Sequence, residues 1–456
     1  MGETPERTDD DGPGSIRDAV AARSGRPRLL VTLALLVGAA ACYVGIVTVR
    51  FGPPSGGDTV PLTAVTSALA DGDLGAAASA ASLPNPPGFP LLAAPFVVAF
   101  PSSVGSPTWC TPTGRLAPPA VGHRSVGSVP AGVVECGQPN TSVAVMLPPW
   151  YRAQGLLGVA SWLALAVGAL ALLRAARADS LARQAGLLAF LAFLPAASSA
   201  IVQLYHPQDV VSLGLALAGL AQTLRRRWLL AGVLFGAAVL TKQFAVLLLL
   251  PALVAAPAVR SRVTMAVAAL GVFGAGILPF LVVDPRATLE NLSGFSAGGA
   301  AAGHTVLSLA GVHGTVASAV ARDAPVVFAF AVCLWAGRRW GSLVGRPTML
   351  VGLALVCTGS RLVFESVVFP YYLLAASVLV LLLDLVARRS PHWSLAWCAA
   401  AAFFVALHPG NRAVAALGTL ALAIAVVTLG FREILAGGRT TGGGGLAVIA
   451  RGTVGT

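Results

Sequence analysis

Charge is scarce in this chain. Only 11% of its 456 residues are Asp, Glu, Lys or Arg, where a soluble domain carries about a quarter. With 56% hydrophobic residues and a mean hydropathy of +0.81, the chain has too few polar groups to cover a water-facing surface, and a bilayer is its solvent. Lysine is almost absent: Lys242 is the only one among 30 basic residues. The net charge of +12 does not imply nucleic acid, because the arginines sit in short clusters between apolar runs, as the positive-inside rule expects of a membrane protein. Soluble-enzyme signatures are missing as well. There is no Walker loop, no Cys/His spacing for a metal and no Ser/His/Asp arrangement, so no metal site and no cofactor is expected.

What is present is a succession of apolar segments. Residues 1–27 are polar and rich in Gly and Pro and read as a disordered cytoplasmic tail. The run 29–49 is long enough to span. Residues 50–150 form a large first extracytoplasmic loop, in which 86–100 is apolar but short and Pro-rich and suits a juxtamembrane helix at the interface. Spans follow near 154–173, 185–204, 209–224, 263–283, 322–337, 348–364, 370–387, 393–408 and 413–431. Residues 228–257 lie between Arg225-Arg226-Arg227 and Arg260/Arg262, both cytoplasmic marks, so this stretch must enter and return. Its 30 residues make two helices of roughly 20 Å, each short of the hydrocarbon core, broken at Thr241-Lys242-Gln243. Such a hairpin is tolerable where its tip lines a cavity. The expected fold is therefore an all-α polytopic bundle of about twelve spans over 28–432, with both termini cytoplasmic and a second disordered tail at 433–456.

Polar residues mark the outer side of this topology. In Tyr205-His206-Pro207-Gln208-Asp209, His206 and Asp209 can bind a polar ligand, or Asp209 can cap the next helix. Lys242 at the hairpin tip needs an anionic partner, either an internal carboxylate or a bound phosphate. Arg361 and Glu365, near Phe369-Pro370-Tyr371-Tyr372, read as a structural ion pair, and Arg361 also suits phosphate. Cys110 and Cys136 would face an oxidising compartment and either form a disulfide or remain two free thiols. Cys42, Cys333, Cys357 and Cys398 lie in apolar runs as packing residues.

Three segments carry a resemblance. They are Gly56-Gly57-Asp58-Thr59 with the Pro-Pro-Gly-Phe-Pro-Leu-Leu-Ala-Ala-Pro stretch after it; His206-Pro207-Gln208-Asp209 leading to an arginine cluster; and Arg227-Trp228-Leu229-Leu230-Ala231-Gly232-Val233-Leu234-Phe235-Gly236 with Leu240-Thr241-Lys242-Gln243. Together they resemble the GT-C superfamily of membrane glycosyltransferases, and within it the polyprenol-phosphate-mannose-dependent mannosyltransferases of glycosyltransferase family 87 from actinobacteria. The resemblance implies an inverting hexosyltransferase in the bacterial inner membrane. Its donor would be a polyprenyl-phosphate sugar and its acceptor an envelope glycolipid or glycan. By the same resemblance Asp58 stands where members carry the general base, with Asp71 and Asp73 as rivals. His206, Lys242 and Arg361 would hold the leaving lipid phosphate, and Asp209 would orient His206 or bind sugar hydroxyls. A transporter or flippase is a further reading, although no internal repeat is visible. So is a non-catalytic scaffold for envelope assembly.

Overall fold

A computed structural model of the protein describes residues 29–46, 59–80, 86–99, 109–110, 116–117, 148–203, 206–293, 305–312, 314–365, 368, 370–407 and 412–439. Asp58 and Cys136 lie outside these residues, and with them the expected base and the Cys110–Cys136 pairing. The described chain is helical except for a small antiparallel ribbon of β1 (Trp109–Cys110) and β2 (Leu116–Ala117).

Among the described residues, six helices are long and apolar enough to cross a membrane. They are α1 (Leu29–Ile46), α5 (Pro148–Ala175), α11 (Val259–Val283), α14 (Gly314–Trp340), α15 (Pro347–Phe364) and α18 (Arg412–Arg439). A seventh span combines α6 (Leu181–Phe193) with α7 (Pro195–Ser198) and the π-turn that follows, bent by 48°. The bend falls at Pro195, which has no N–H to continue the ladder of α6. This set is compatible with a multi-pass membrane protein. Reaching twelve also requires α8 (Pro207–Leu224), α9 (Trp228–Thr241), α10 (Val246–Ala255), α16 (Leu373–Val386) and α17 (His392–Leu407), which are shorter or less apolar.

Burial sorts the helices by place in the bundle. The apolar stretches of α15 and α5 are 72% and 61% buried, whereas those of α11 and α1 are 17% and 11% buried. Val263, Val267, Leu270 and Val282 of α11 are all exposed, which is tolerable only against hydrocarbon. Close approach at the centre depends on missing side chains. A Cβ on Gly214 of α8 would lie 2.5 Å from the Ala164 carbonyl oxygen of α5, and one on Gly236 of α9 would lie 2.5 Å from that of Ala269 on α11. Small residues let helix backbones meet where apolar burial alone gives no drive.

One end of the bundle carries the arginines. Helices α5, α8 and α16 each stop on an arginine in the left-handed region, Arg177, Arg226 and Arg388, with φ of 56°, 59° and 57°. Each stop is a Schellman turn: Ala178 N–H reaches Leu173 O at 3.0 Å, Arg227 N–H reaches Gln222 O at 2.9 Å, and Arg389 N–H reaches Asp384 O at 2.9 Å. Glycine is the usual residue at this position, so each arginine carries a conformational cost of about 1–2 kcal/mol. In return it places a cation beside the negative pole of its helix. At the same end Arg389 grips buried Glu433 of α18 through bonds of 2.5 and 2.7 Å. That anchor accounts for a correction: α18 continues to Arg439, so the tail expected to be disordered from 433 begins as ordered helix.

At the opposite end lie α2 (Thr59–Ala70), α3 (Leu74–Ala80) and α4 (Gly88–Ala99). Leu62, Phe89 and Ala93 pack with Leu157 of α5, and Val65, Ala77 and Ala78 with Phe280 of α11. Helix α4 exposes Leu91, Leu92, Phe96 and Val98, which suits an interfacial position.

The Gly214 contact yields a stability prediction. Gly214→Val overpacks the α5–α8 contact and lowers stability by about 1–3 kcal/mol. Gly186→Ala, with nothing within 4 Å of the added carbon, leaves stability unchanged or raises it by up to about 1 kcal/mol. Thermal unfolding of the detergent-solubilised variants compares the two.

Candidate functional site

The end opposite the arginine clusters holds a different set of charges. Helix α8 opens at Pro207, whose missing N–H costs nothing in the first turn, and His206 stands at its N-cap without a side-chain capping bond. Asp209 is not the cap that its position allowed. It lies in the first turn, and its Oδ2 faces Lys242 Nζ at 3.4 Å and His206 Nδ1 at 3.6 Å. The carboxylate also gains from the positive pole of α8.

Lys242 arrives from the broken hairpin. It is extended (φ −156°, ψ 129°) between the end of α9 and a 3₁₀ turn, Gln243–Ala245, that leads into α10. Ser212 of α8 holds this break closed: its hydroxyl donates to Ala238 O at 2.9 Å and lies 3.4 Å from Lys242 O. Gln243 Nε2 donates to Leu292 O at 3.2 Å, tying the tip to α12 (Pro285–Ser293). A Cβ on Gly88 would lie 2.5 Å from Leu240 O, so the start of α4 rests on the last turn of α9.

Arg361 enters from the last turn of α15 and is ion-paired with Glu365 one turn on. Its guanidinium lies 4.2 Å from the ring centre of Tyr372 and 5.4 Å from that of Phe244, a residue of the hairpin tip. Tyr371, beside Tyr372 in the 3₁₀ turn Pro370–Tyr372, stacks on His206 with centroids 4.1 Å apart. One aromatic pair thus joins the His206 side of the site to the Arg361 side. All of these side chains are largely buried: Asp209 and Glu365 are 5% and 4% exposed, Lys242 and Arg361 13% and 15%. Among the described residues, Asp209 Oδ2, Glu365 Oε2 and Gln208 Oε1 are buried and accept no hydrogen bond.

A cavity of about 470 Å³ opens beside this cluster. Lys242, Gln243, Arg361 and Glu365 form its polar wall, and Phe244, Val246, Leu247, Leu292, Val326 and Val327 its apolar wall. The Arg322–Asp323 pair of α14 also borders it, with Nε–Oδ1 at 2.8 Å and both side chains about half exposed. Such a cavity can hold an anionic head beside an apolar chain.

The structure therefore brings His206, Asp209, Lys242 and Arg361 together from separate parts of the sequence. The two aromatics of the Tyr371-Tyr372 turn act as spacers. Two contributors lie in a segment read as loop: Leu292, and Ala321, which is helical because α14 begins at Gly314, ahead of the span expected from 322. Asp73, one rival for the general base, caps α3 by accepting from Ala76 N–H at 2.8 Å, whereas Asp71 is exposed. Among the described residues no group of His, Cys, Asp and Glu is arranged to hold a metal.

The model of glycosyltransferase family 87 matches residues 139–364, just under half of the chain. The match supports a membrane glycosyltransferase. It covers His206, Asp209, Lys242 and Arg361 and leaves out Asp58 and the first loop up to residue 138. No curated protein and no solved structure matches the chain.

The Asp209–Lys242 contact makes a test of the site's internal economy. Removing one member of a buried pair strands the other charge, so Asp209→Asn and Lys242→Met should each cost about 3–5 kcal/mol. The double variant should cost less than the two singles together. Thermal unfolding of the four proteins in one detergent measures the coupling.

Proposed function

We propose that the protein transfers a sugar, with mannose the expected one, from a polyprenyl-phosphate donor to a glycolipid or glycan acceptor of the cell envelope. The reaction takes place at the extracytoplasmic face of the bacterial inner membrane and inverts the anomeric centre. The observation that carries this reading is the position of Lys242 and Arg361 in the wall of a largely apolar cavity, with His206 joined to Lys242 through Asp209. It is joined by the family match over the same residues. The arginine clusters sit at the other end of the helices, so the positive-inside rule directs the cavity outward.

The chemistry follows from what each group can do. The donor's phosphodiester lies against the cations and its isoprenoid chain along the apolar wall. The acceptor hydroxyl attacks the anomeric carbon, the bond from that carbon to the phosphate oxygen breaks, and its electron pair stays on the lipid phosphate. Lys242 and Arg361 stabilise the negative charge that gathers there, and they do so in surroundings of low dielectric where such contacts are strongest. His206 adds a ring nitrogen held in place by Tyr371. The hydroxyl proton goes to Asp58, which precedes α2, the helix packed over this end of the bundle. A carboxylate in a partly apolar setting takes up a proton more readily than one in water, which suits it to the task.

Sugar transfer in membranes supplied with polyprenyl-phosphate mannose and a mixed envelope-lipid acceptor pool tests the reading. Wild type transfers; Asp58→Ala loses about 10²-fold or more; Lys242→Gln loses roughly tenfold to a hundredfold in kcat/KM. If Asp58→Ala transfers as well as wild type, Asp58 is not the base and Asp71 takes its place as candidate. If wild type transfers from no lipid-phosphate sugar, the chain is a scaffold or a transporter.

A further inference from the structure

Glu365 is more than the partner of Arg361. One of its carboxylate oxygens, Oε1, is engaged by the guanidinium; the other, Oε2, is buried and accepts no hydrogen bond among the described residues. Glu365 also lines the cavity, beside Lys242 and Arg361. A buried acceptor left without a donor carries a desolvation cost, and the residue that bears it is one of those lining the cavity. A phosphate group alone cannot relieve that cost. Its oxygens are acceptors, and close to Glu365 they meet a second negative charge. What relieves it is a hydroxyl carried next to the phosphate. We infer that Glu365 Oε2 accepts a hydrogen bond from a sugar hydroxyl of the donor, so that the site holds a glycosyl phosphate more tightly than the bare lipid phosphate left after transfer.

The inference rests on the donor reading given above and deepens it. The carboxylates offset the cations in the empty site: Asp209 sits against Lys242 and Glu365 against Arg361. A site of cations alone would bind the more highly charged product, the lipid phosphomonoester, better than the donor phosphodiester, and product would accumulate on the enzyme. Placing an acid at the cavity wall reverses the preference. Glu365 is thus a specificity residue that ties product release to loss of the sugar.

Binding of two probes to the purified full-length protein in lipid nanodiscs tests this: a polyprenyl phosphate, and the same lipid phosphate carrying one mannose. Wild type should prefer the mannosylated probe by about tenfold or more, the worth of one hydrogen bond to a charged group. In Glu365→Gln, which keeps the shape but removes the charge, that preference should vanish, with the bare phosphate bound more tightly than by wild type. If Glu365 serves only to position Arg361, Glu365→Gln weakens both probes by the same factor, and the inference is overturned. Should Glu365→Gln fail to fold, single-deoxy mannosyl probes on wild type decide: at least one should lose about tenfold, and uniform binding of all of them refutes the assignment. Equal binding of the two parent probes by wild type sinks this inference alone. Binding of neither sinks the donor reading with it.

Discussion

The contact between Asp209 and Lys242 is the constraint on which the functional end of the molecule depends. Two charges in an apolar bundle are tolerable only together, so the pair sets where α8 may begin and where the hairpin must break. Helix α9 stops one residue short of Lys242, and the extended backbone there turns the ammonium toward α8. Close contacts behind the pair hold the register. Gly214 seats α8 on α5, and Gly236 seats α9 on α11, at distances that no larger residue permits. A half-length helix pair is a poor membrane span, but it is an effective way to bring a cation partway into a bundle and line a cavity with it.

The two ends of the bundle handle charge in opposite ways. At one end arginines stand at helix termini in Schellman turns, partly exposed, and serve topology and capping. At the other, the charges beside the cavity include two buried pairs, Asp209–Lys242 and Arg361–Glu365. Arg361 is held by Glu365 along its edge and by Tyr372 and Phe244 on its faces, so little side-chain freedom remains to be lost when an anion arrives. The bent α6–α7 segment and its π-turn belong to the same end. His206 N–H reaches back to Ala200 O at 2.5 Å, which fixes the imidazole where Tyr371 can stack on it. π-turns of this kind are frequent at functional sites.

Much of this was legible in the sequence because rarity is informative in a membrane protein. A single lysine in the middle of an apolar stretch, an Arg–Glu pair one turn apart and a His-Pro-x-Asp turn are conspicuous against so much Leu, Val and Ala. Their convergence was not legible. It depends on helix packing set by glycines, and the sequence holds 51 of them with nothing to single out Gly214 or Gly236. Residues 314–321 of α14 were read as loop, whereas Arg322 and Asp323 fell inside the expected span and are tolerated in the helix because they pair with each other. The end of α18 was placed too early because the residues after Arg432 are Gly-rich, and what anchors the last turns, the bond from Arg389 to Glu433, spans 44 residues. The role of Asp209 divided between cap and ligand in sequence, and the structure turns its side chain to Lys242 and leaves the N-cap to His206.

The central claim is that Lys242 and Arg361 hold the phosphate of a lipid-linked sugar donor. An electron cryomicroscopy structure of the protein in nanodiscs containing a polyprenyl-phosphate sugar tests it most directly. The account predicts phosphate density within hydrogen-bonding distance of Lys242 Nζ and the Arg361 guanidinium, with the isoprenoid chain running along Phe244, Val326 and Val327. Lipid phosphate bound elsewhere, with Lys242 still closed on Asp209 and the cavity empty, would contradict it.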